Sequence, residues 1–370
     1  MKKKMSPAKI TSKRRKATRR KMTRKVVAID LFCGAGGLTH GLLKESVVVK
    51  AGFDIDPACQ YAFEANNKAE YVLKDVAKVT ADEVREYFGE DNSITMIAGC
   101  APCQPFSKYT QGIDTTKDEK WGMLYHFARL VEEVLPDIVT MENVPQLQRH
   151  EVYADFENKL KALGYHVSSN VVFCPDYGMP QTRQRLVLLA SRLGKIELIE
   201  PTHGPENYKT VQDVIKSLPV IRHGGADKKD RLHVSSKLSP KNLERIKASK
   251  PDGSWLDWDK KLVAKCHKSK SRATYRSVYG RMSWKKPSPT ITTQFVGFGN
   301  GRFGHPSQAR AISLREGALL QTFPKGYKFI KANEPVVIKH IARMIGNAVP
   351  VDLGKVIGKS IIKHIKSLNA

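Results

Sequence analysis

The sequence predicts an α/β protein: a doubly wound, mostly parallel sheet with a second, smaller and irregular domain. Three observations predict it. Short apolar runs alternate with helical patterns over the first half of the chain. Two of those runs end in loops rich in chemistry, one in glycines and one in a proline-flanked cysteine. From about Arg192 to Pro289 the alternation dissolves into Pro, Gly, Lys and Trp.

The runs Val26 to Phe32, Val47 to Phe53, Ile94 to Ala98, Ile138 to Met141, Val167 to Phe173 and Leu186 to Ala190 read as buried strands. Between them Leu38 to Lys44, Pro57 to Asn67, Met123 to Val134 and Ala154 to Leu163 carry apolar residues at helical spacing. The second region offers one clear helix, near Pro240 to Ser249. Helical patterns return at Val336 to Met344 and Pro350 to Ser367. The chain therefore divides into a basic tail (1–25), a first domain (26–191), a second domain with a hinge (192–334) and C-terminal helices (335–370) that return to the first domain. At 370 residues it has room for one large core and a smaller one.

The formal charge of +27 points to a polyanion as partner. Residues 1–25 hold thirteen Lys or Arg and no acid, so about half the excess sits in a tail that reads as disordered. Much of the rest falls between Lys228 and Lys286, interleaved with Trp255, Trp258, Tyr275, Tyr279 and Trp284, which makes that face a DNA candidate. Charge alone does not separate DNA from RNA or from an anionic membrane surface. No apolar run approaches a membrane span, and the basic N-terminus lacks a signal-peptide core. Six cysteines without regular spacing fit a reducing compartment.

Residues 99–107 read GCAPCQPFS. Cys103 thus follows a proline just beyond a buried strand, at the edge where open α/β sheets bind ligands. Cys100 and Cys103 also form a CxxC, a spacing used by redox dithiols and zinc sites. Cys33, Cys59, Cys174 and Cys266 stand alone, which disfavours zinc, and Pro105 with its polar loop suits a redox helix poorly. The first strand runs into Asp30-Leu-Phe32-Cys-Gly34-Ala-Gly36-Gly37, a turn that lets a cofactor approach the backbone. Thr39 stands where a dinucleotide fingerprint has its third glycine, which weakens a nicotinamide reading. Asp54 and Asp56 are rivals for a ribose at the end of the second strand. Glu142 follows another strand, and Arg183 and Arg185, two apart on the last one, should share a face.

Taken in this order, the motifs resemble those of the DNA (cytosine-5) methyltransferases of bacterial or phage modification type. Pro102-Cys103-Gln104 matches the family's motif IV, whose cysteine is the nucleophile. Asp30, Phe32, Gly34, Gly36 and Gly37 match motif I, which cradles S-adenosyl-L-methionine. Glu142-Asn143-Val144 matches motif VI, Gln181 to Arg185 motif VIII, and Gly346 to Pro350 motif X. Motif IX is visible from Pro287 to Thr292, in Gly301 to Phe303 and in Arg315-Glu316. The resemblance spans Asp30 to Pro350 and implies a Rossmann-like methyltransferase domain with a target-recognition domain.

It further implies that Asp54 takes the ribose, Ile55 the adenine face and Asp75 the adenine amino group, with Leu124, Asn347 and Val349 completing the cofactor site. Cys103 attacks carbon 6 of a flipped cytosine in a specific double-stranded DNA sequence. Glu142 acts at N3 and Arg185 at O2, with Arg183 in support. The loop from Gln104 to Lys120 should close over the DNA, and residues from about 192 to 285 should read its sequence. No metal is implied. The resemblance also suggests a cytoplasmic, nucleoid-associated monomer with no membrane partner. A restriction endonuclease acting on the same site would be a partner in function, not in a stable complex. A tRNA cytosine-5 methyltransferase on the same scaffold is the alternative. One departure stands beside the nucleophile: Cys100-Ala101, where many members carry glycine or a bulkier residue.

Overall fold

Every residue of β1 (Val26–Leu31) is buried, as a strand covered by helices on both faces must be. It lies inside a seven-stranded sheet. The computed structural model describes residues 24–90, 92–102, 122–268 and 277–368, without the side chain of Cys266. The basic tail over residues 1–23, the expected nucleophile Cys103, the loop to Lys120 and Tyr275 lie outside these residues.

In chain order the elements are β1, α1 (Gly37–Lys44), β2 (Val48–Asp54), α2 (Gln60–Glu64), β3 (Glu70–Leu73), α3 (Ala81–Phe88), β4 (Ile94–Gly99), α4 (Gly122–Val134), β5 (Ile138–Asn143), α5 (Glu151–Ala162), β6 (His166–Phe173) and β7 (Gln184–Ser191). The second region contributes α6 (Val211–Ile215), α7 (Pro240–Ala248) and α8 (Leu314–Leu320), before α9 (Ile338–Asn347) and α10 (Val351–Ser367). The strand order is β3-β2-β1-β4-β5-β7-β6. β1 to β5 pair in parallel, and β7 runs antiparallel between β5 and β6. The order reverses between β1 and β4, and ligands bind open sheets outside the carboxyl ends of strands at such a point.

The six expected strands are present, and the sheet adds β3, which the sequence pattern hides. β3 is a four-residue edge strand with Glu70 and Leu73 exposed, too short and too polar for a buried-run signal. α3 and α8 were also unanticipated, although each opens with a capping box: Thr80 with Glu83 and Ser313 with Glu316. The helix expected over Pro57 to Asn67 is a 3-10 turn over Pro57–Cys59 followed by the short α2.

One face of the sheet buries Phe53, Ile97, Val139 and Leu188 under Phe127 of α4 and Phe156 of α5. The other buries Ala28, Val49 and Met96 under α1 and α10, with Leu353, Ile357 and Ile361 facing inward. A third cluster joins the loop after β1 (Cys33, Ala35) to Phe63, Phe295, Leu320, Phe323 and Ile345, so the second region's core is continuous with the wall of the glycine turn. Trp255 and Trp258 sit with Leu238, Ile246 and Phe298 in a fourth cluster. This corrects their reading as part of a DNA face. Trp255 stacks on His267 at 4.4 Å, and the Trp258 indole N–H donates to Ser249 Oγ. Both tryptophans are spent on a small core that would otherwise have few large apolar groups. Trp284 is half-buried, edge-on to His305.

Candidate active site

β1 ends in a turn held by carboxylates. Gly34 N donates to Asp54 Oδ2 at 2.8 Å, and Asp56 N donates to Asp54 Oδ1 at 2.9 Å, so Asp54 ties the glycine turn to the end of β2. Burial raises the Asp54 carboxyl above its ordinary range. Asp56 is engaged elsewhere: it caps the 3-10 turn through Ala58 N and pairs with Arg343 of α9 at 2.7 Å. Ile55 between them is 69% exposed, a large apolar group at the sheet edge. Asp75 accepts from Ala77 N as a cap after β3. Leu124 is buried in the core of α4, Val349 is buried after α9, and Asn347 is exposed at the end of α9.

The glycines of the turn do different jobs. At Gly34 (φ +51°) a Cβ would meet nothing within 4 Å, so this position faces open space beside Asp54. At Gly37 a Cβ would meet Val349 O at 2.2 Å, which binds α1 to the segment between α9 and α10. Close approach at Gly37 therefore serves the chain itself, and Gly36 likewise abuts Asn67, Phe63 and Tyr327. Phe32 carries its side chain on a left-handed backbone, φ +59°, a conformation of rare use for an aromatic residue and frequent at functional turns.

Asp30 is the most perturbed acid of the site. It is buried, its Oδ2 accepts from Thr39 Oγ1 at 2.6 Å, and its Oδ1 is buried without a hydrogen-bond partner. Burial pushes its pKa up to about 7.

Across the switch point, β4, β5 and β7 bring three groups together. Glu142, 2% exposed, closes β5, and its Oε1 lies 2.9 Å from Nε of Arg185, 13% exposed, on β7. Its Oε2 accepts from Cys100 Sγ at 2.9 Å just past β4. Next to it the Asn143 side chain donates to Ala101 O at 3.1 Å and thereby fixes the backbone just before Pro102. Arg183 does not share this arrangement as strand alternation implied. β7 begins at Gln184, and the Arg183 guanidinium turns inward to donate to Ile291 O at 3.0 Å. Burial, with the neighbouring Arg185 charge, lowers its pKa to about 10.

The chain matches the family model "C-5 cytosine-specific DNA methylase" over residues 26–363 and belongs to that family. It is a DNA (cytosine-5-)-methyltransferase. It is 52% identical to the Type II methylase M.HgiDII of Herpetosiphon aurantiacus over 92% of this chain and 96% of that protein. With the Type II methyltransferase M.Sau96I of Staphylococcus aureus the identity is 29% over 92% of this chain and 76% of that one. Among solved structures, a methyltransferase encoded within an E. coli prophage superposes with a TM-score of 0.70 at 24% identity, covering 92% of this chain and 100% of that one. No helix among the described residues is long and apolar enough to cross a membrane.

Proposed function

We propose that this enzyme methylates carbon 5 of a cytosine flipped out of a specific double-stranded DNA site, through a covalent bond between Cys103 and carbon 6. The observation that carries the reading is the Glu142 carboxylate, held between Arg185 and Cys100 at the sheet edge that leads into Cys103. Carbon 6 is shielded inside a stacked duplex, so the base has to leave the stack to be attacked.

The donor set fits S-adenosyl-L-methionine. The space beside Gly34, the exposed Ile55, Asp54 at the strand end and the unpartnered Asp30 Oδ1 form a cradle with apolar and anionic walls. Asp54, Ile55, Asp75, Phe32 and Leu124 would hold its nucleoside. Asp30 and the turn at Gly34, Gly36 and Gly37 would hold its charged end, with Asn347 and Val349 closing the site. Bound there, the group supplies an electrophilic methyl to carbon 5.

The chain's own residues do the rest. The Cys103 thiolate adds to carbon 6 and drives electrons into the ring. Glu142 holds a proton at N3, neutralising that charge and making carbon 5 nucleophilic. Arg185 donates to O2 and keeps the ring in register. Arg183 supports the site from behind through the 291 carbonyl. Loss of the carbon 5 proton then breaks the bond to Cys103 and returns the thiolate. The second domain, with its exposed lysines, would read the DNA sequence, and the loop to Lys120 would close over it. The enzyme would work as a cytoplasmic, nucleoid-associated monomer, alongside an endonuclease of the same specificity.

The test is DNA containing 5-fluorocytosine, whose fluorine blocks the final elimination. Wild type should form a denaturant-resistant adduct, and Cys103→Ser should form none while still binding cofactor. An adduct in the serine variant would refute the covalent step. Methyl incorporation into tRNA but not into duplex DNA would overturn the substrate.

A further inference from the structure

Glu142 is held by unequal partners. Arg185 Nε stands 2.9 Å from Oε1, yet its N–H is not aligned with that oxygen, which makes no hydrogen bond. The guanidinium donates through Nη1 to Gln184 O instead. The aligned donor to the carboxylate is the Cys100 thiol, 2.9 Å from Oε2. With Glu142 buried, water cannot readily replace that donor. The thiol is itself fixed. Cys100 N donates to Leu31 O, and Asn143 clamps the next carbonyl, Ala101 O, so both ends of the contact ride on paired strands.

We propose that Cys100 is a positioning residue for methyl transfer: its thiol sets the orientation of the Glu142 carboxylate toward the target cytosine. The idea rests on Glu142 acting at N3. A thiol suits the task because it is a weak donor. It directs a carboxylate without binding it so tightly that the oxygen cannot turn to a substrate nitrogen. A hydroxyl in its place would still donate, and a methyl would not.

The experiment compares Cys100→Ala and Cys100→Ser in steady-state and single-turnover methylation of duplex DNA. In the alanine variant kcat should fall about tenfold, the scale of one hydrogen bond to a charged group. KM for DNA and for cofactor should stay within about twofold, since neither is bound through this contact. The serine variant should regain most of the loss. In a Glu142→Gln background, Cys100→Ala should cost nothing more, because its only route to the reaction is gone. Cys100→Gly removes the donor without adding an atom and serves if the alanine variant does not fold. Wild-type kcat in the alanine variant, equal losses for alanine and serine, or losses that multiply in the double variant would each overturn the proposal. Full activity of Glu142→Gln alone would instead remove the role of Glu142 at N3, and with it the premise.

Discussion

Among the described residues two buried glutamates are paired with an arginine, and the two pairs are built on opposite principles. In the second region Arg310 meets Glu316 by two parallel contacts of 2.7 Å. Arg310 Nε also donates to Ile221 O and Gln308 Oε1 and its Nη1 to Ala311 O, while Glu316 Oε2 also accepts from Ser313 N. At the sheet edge Glu142 has one misaligned arginine and one thiol. The first pair is saturated and has nothing to offer a ligand. The second leaves its carboxylate short of partners, and a buried polar group kept short of partners is costly unless something uses it. Saturation, not residue type, separates the two pairs, and it is the unsaturated one that the proposed mechanism uses.

The difference can be broken experimentally, starting with the largest effect. Glu142→Gln should lower kcat by about 10²- to 10⁴-fold, the usual worth of a positioned acid–base group, and leave the thermal midpoint within a few degrees of wild type. A collapse in melting temperature with kcat retained would make this pair structural after all. Glu316→Gln should do the reverse: uncompensated Arg310 in the core costs about 3–5 kcal/mol. Denaturant titration would show it as a lowered midpoint, while any folded fraction methylates normally.

Two further tests use pH, and their signs are opposite. Asp30 has its pKa raised from 3.8 to about 7 in the fold. The native state therefore binds more protons than the unfolded chain between about pH 4 and 7, and stability falls as pH rises through that window. Asp30→Asn should flatten this loss in melts of the cofactor-free protein at pH 5 and 8. It should also weaken cofactor binding. His305 packs 3.6 Å from Glu316, and burial lowers its pKa from 6.5 to about 4. Here the unfolded chain binds more protons, so stability present above about pH 6.5 is lost as pH falls toward 4. His305→Gln should make the acid limb shallower, by less than Asp30→Asn changes the neutral one. A variant of either residue that left the pH dependence of melting unchanged would show that it does not titrate as its burial implies.

The candidate site at the sheet edge is legible in the sequence because its groups lie in contiguous motifs at strand ends. Glu142 and Arg185 could each be singled out from the sequence for that reason, although their 2.9 Å contact could not. The contact between Cys100 and Glu142 could not, since it depends on which strands are neighbours and in what register: Gly99 stands beside Met141, which puts the next residues side by side. Strand position alone leaves Asp54 and Asp56 as rivals and only the resemblance favours Asp54; the competing claim of Arg343 on Asp56 comes from a helix far along the chain. The tryptophans misled for a plain reason. A lysine-rich region needs large apolar side chains for a core, and composition cannot tell those from side chains waiting to stack on bases. The jobs of Gly36 and Gly37 were hidden too, because the backbone they accommodate belongs to distant parts of the chain.

The Tyr327 hydroxyl donates to Ala35 O across 292 positions of sequence. With the carbonyl of Val349 against Gly37, it means that the glycine turn is completed by residues that follow the second region's last helix, α8, in the chain. Closing so long a loop is entropically costly and slow, so such contacts form late in folding. A chain interrupted between Ser191 and Tyr327 would carry every strand of the sheet, yet lack the walls of the turn. Methylating capacity should therefore arise in one step, when the last partner docks, and partial products should be inert instead of weakly and indiscriminately active.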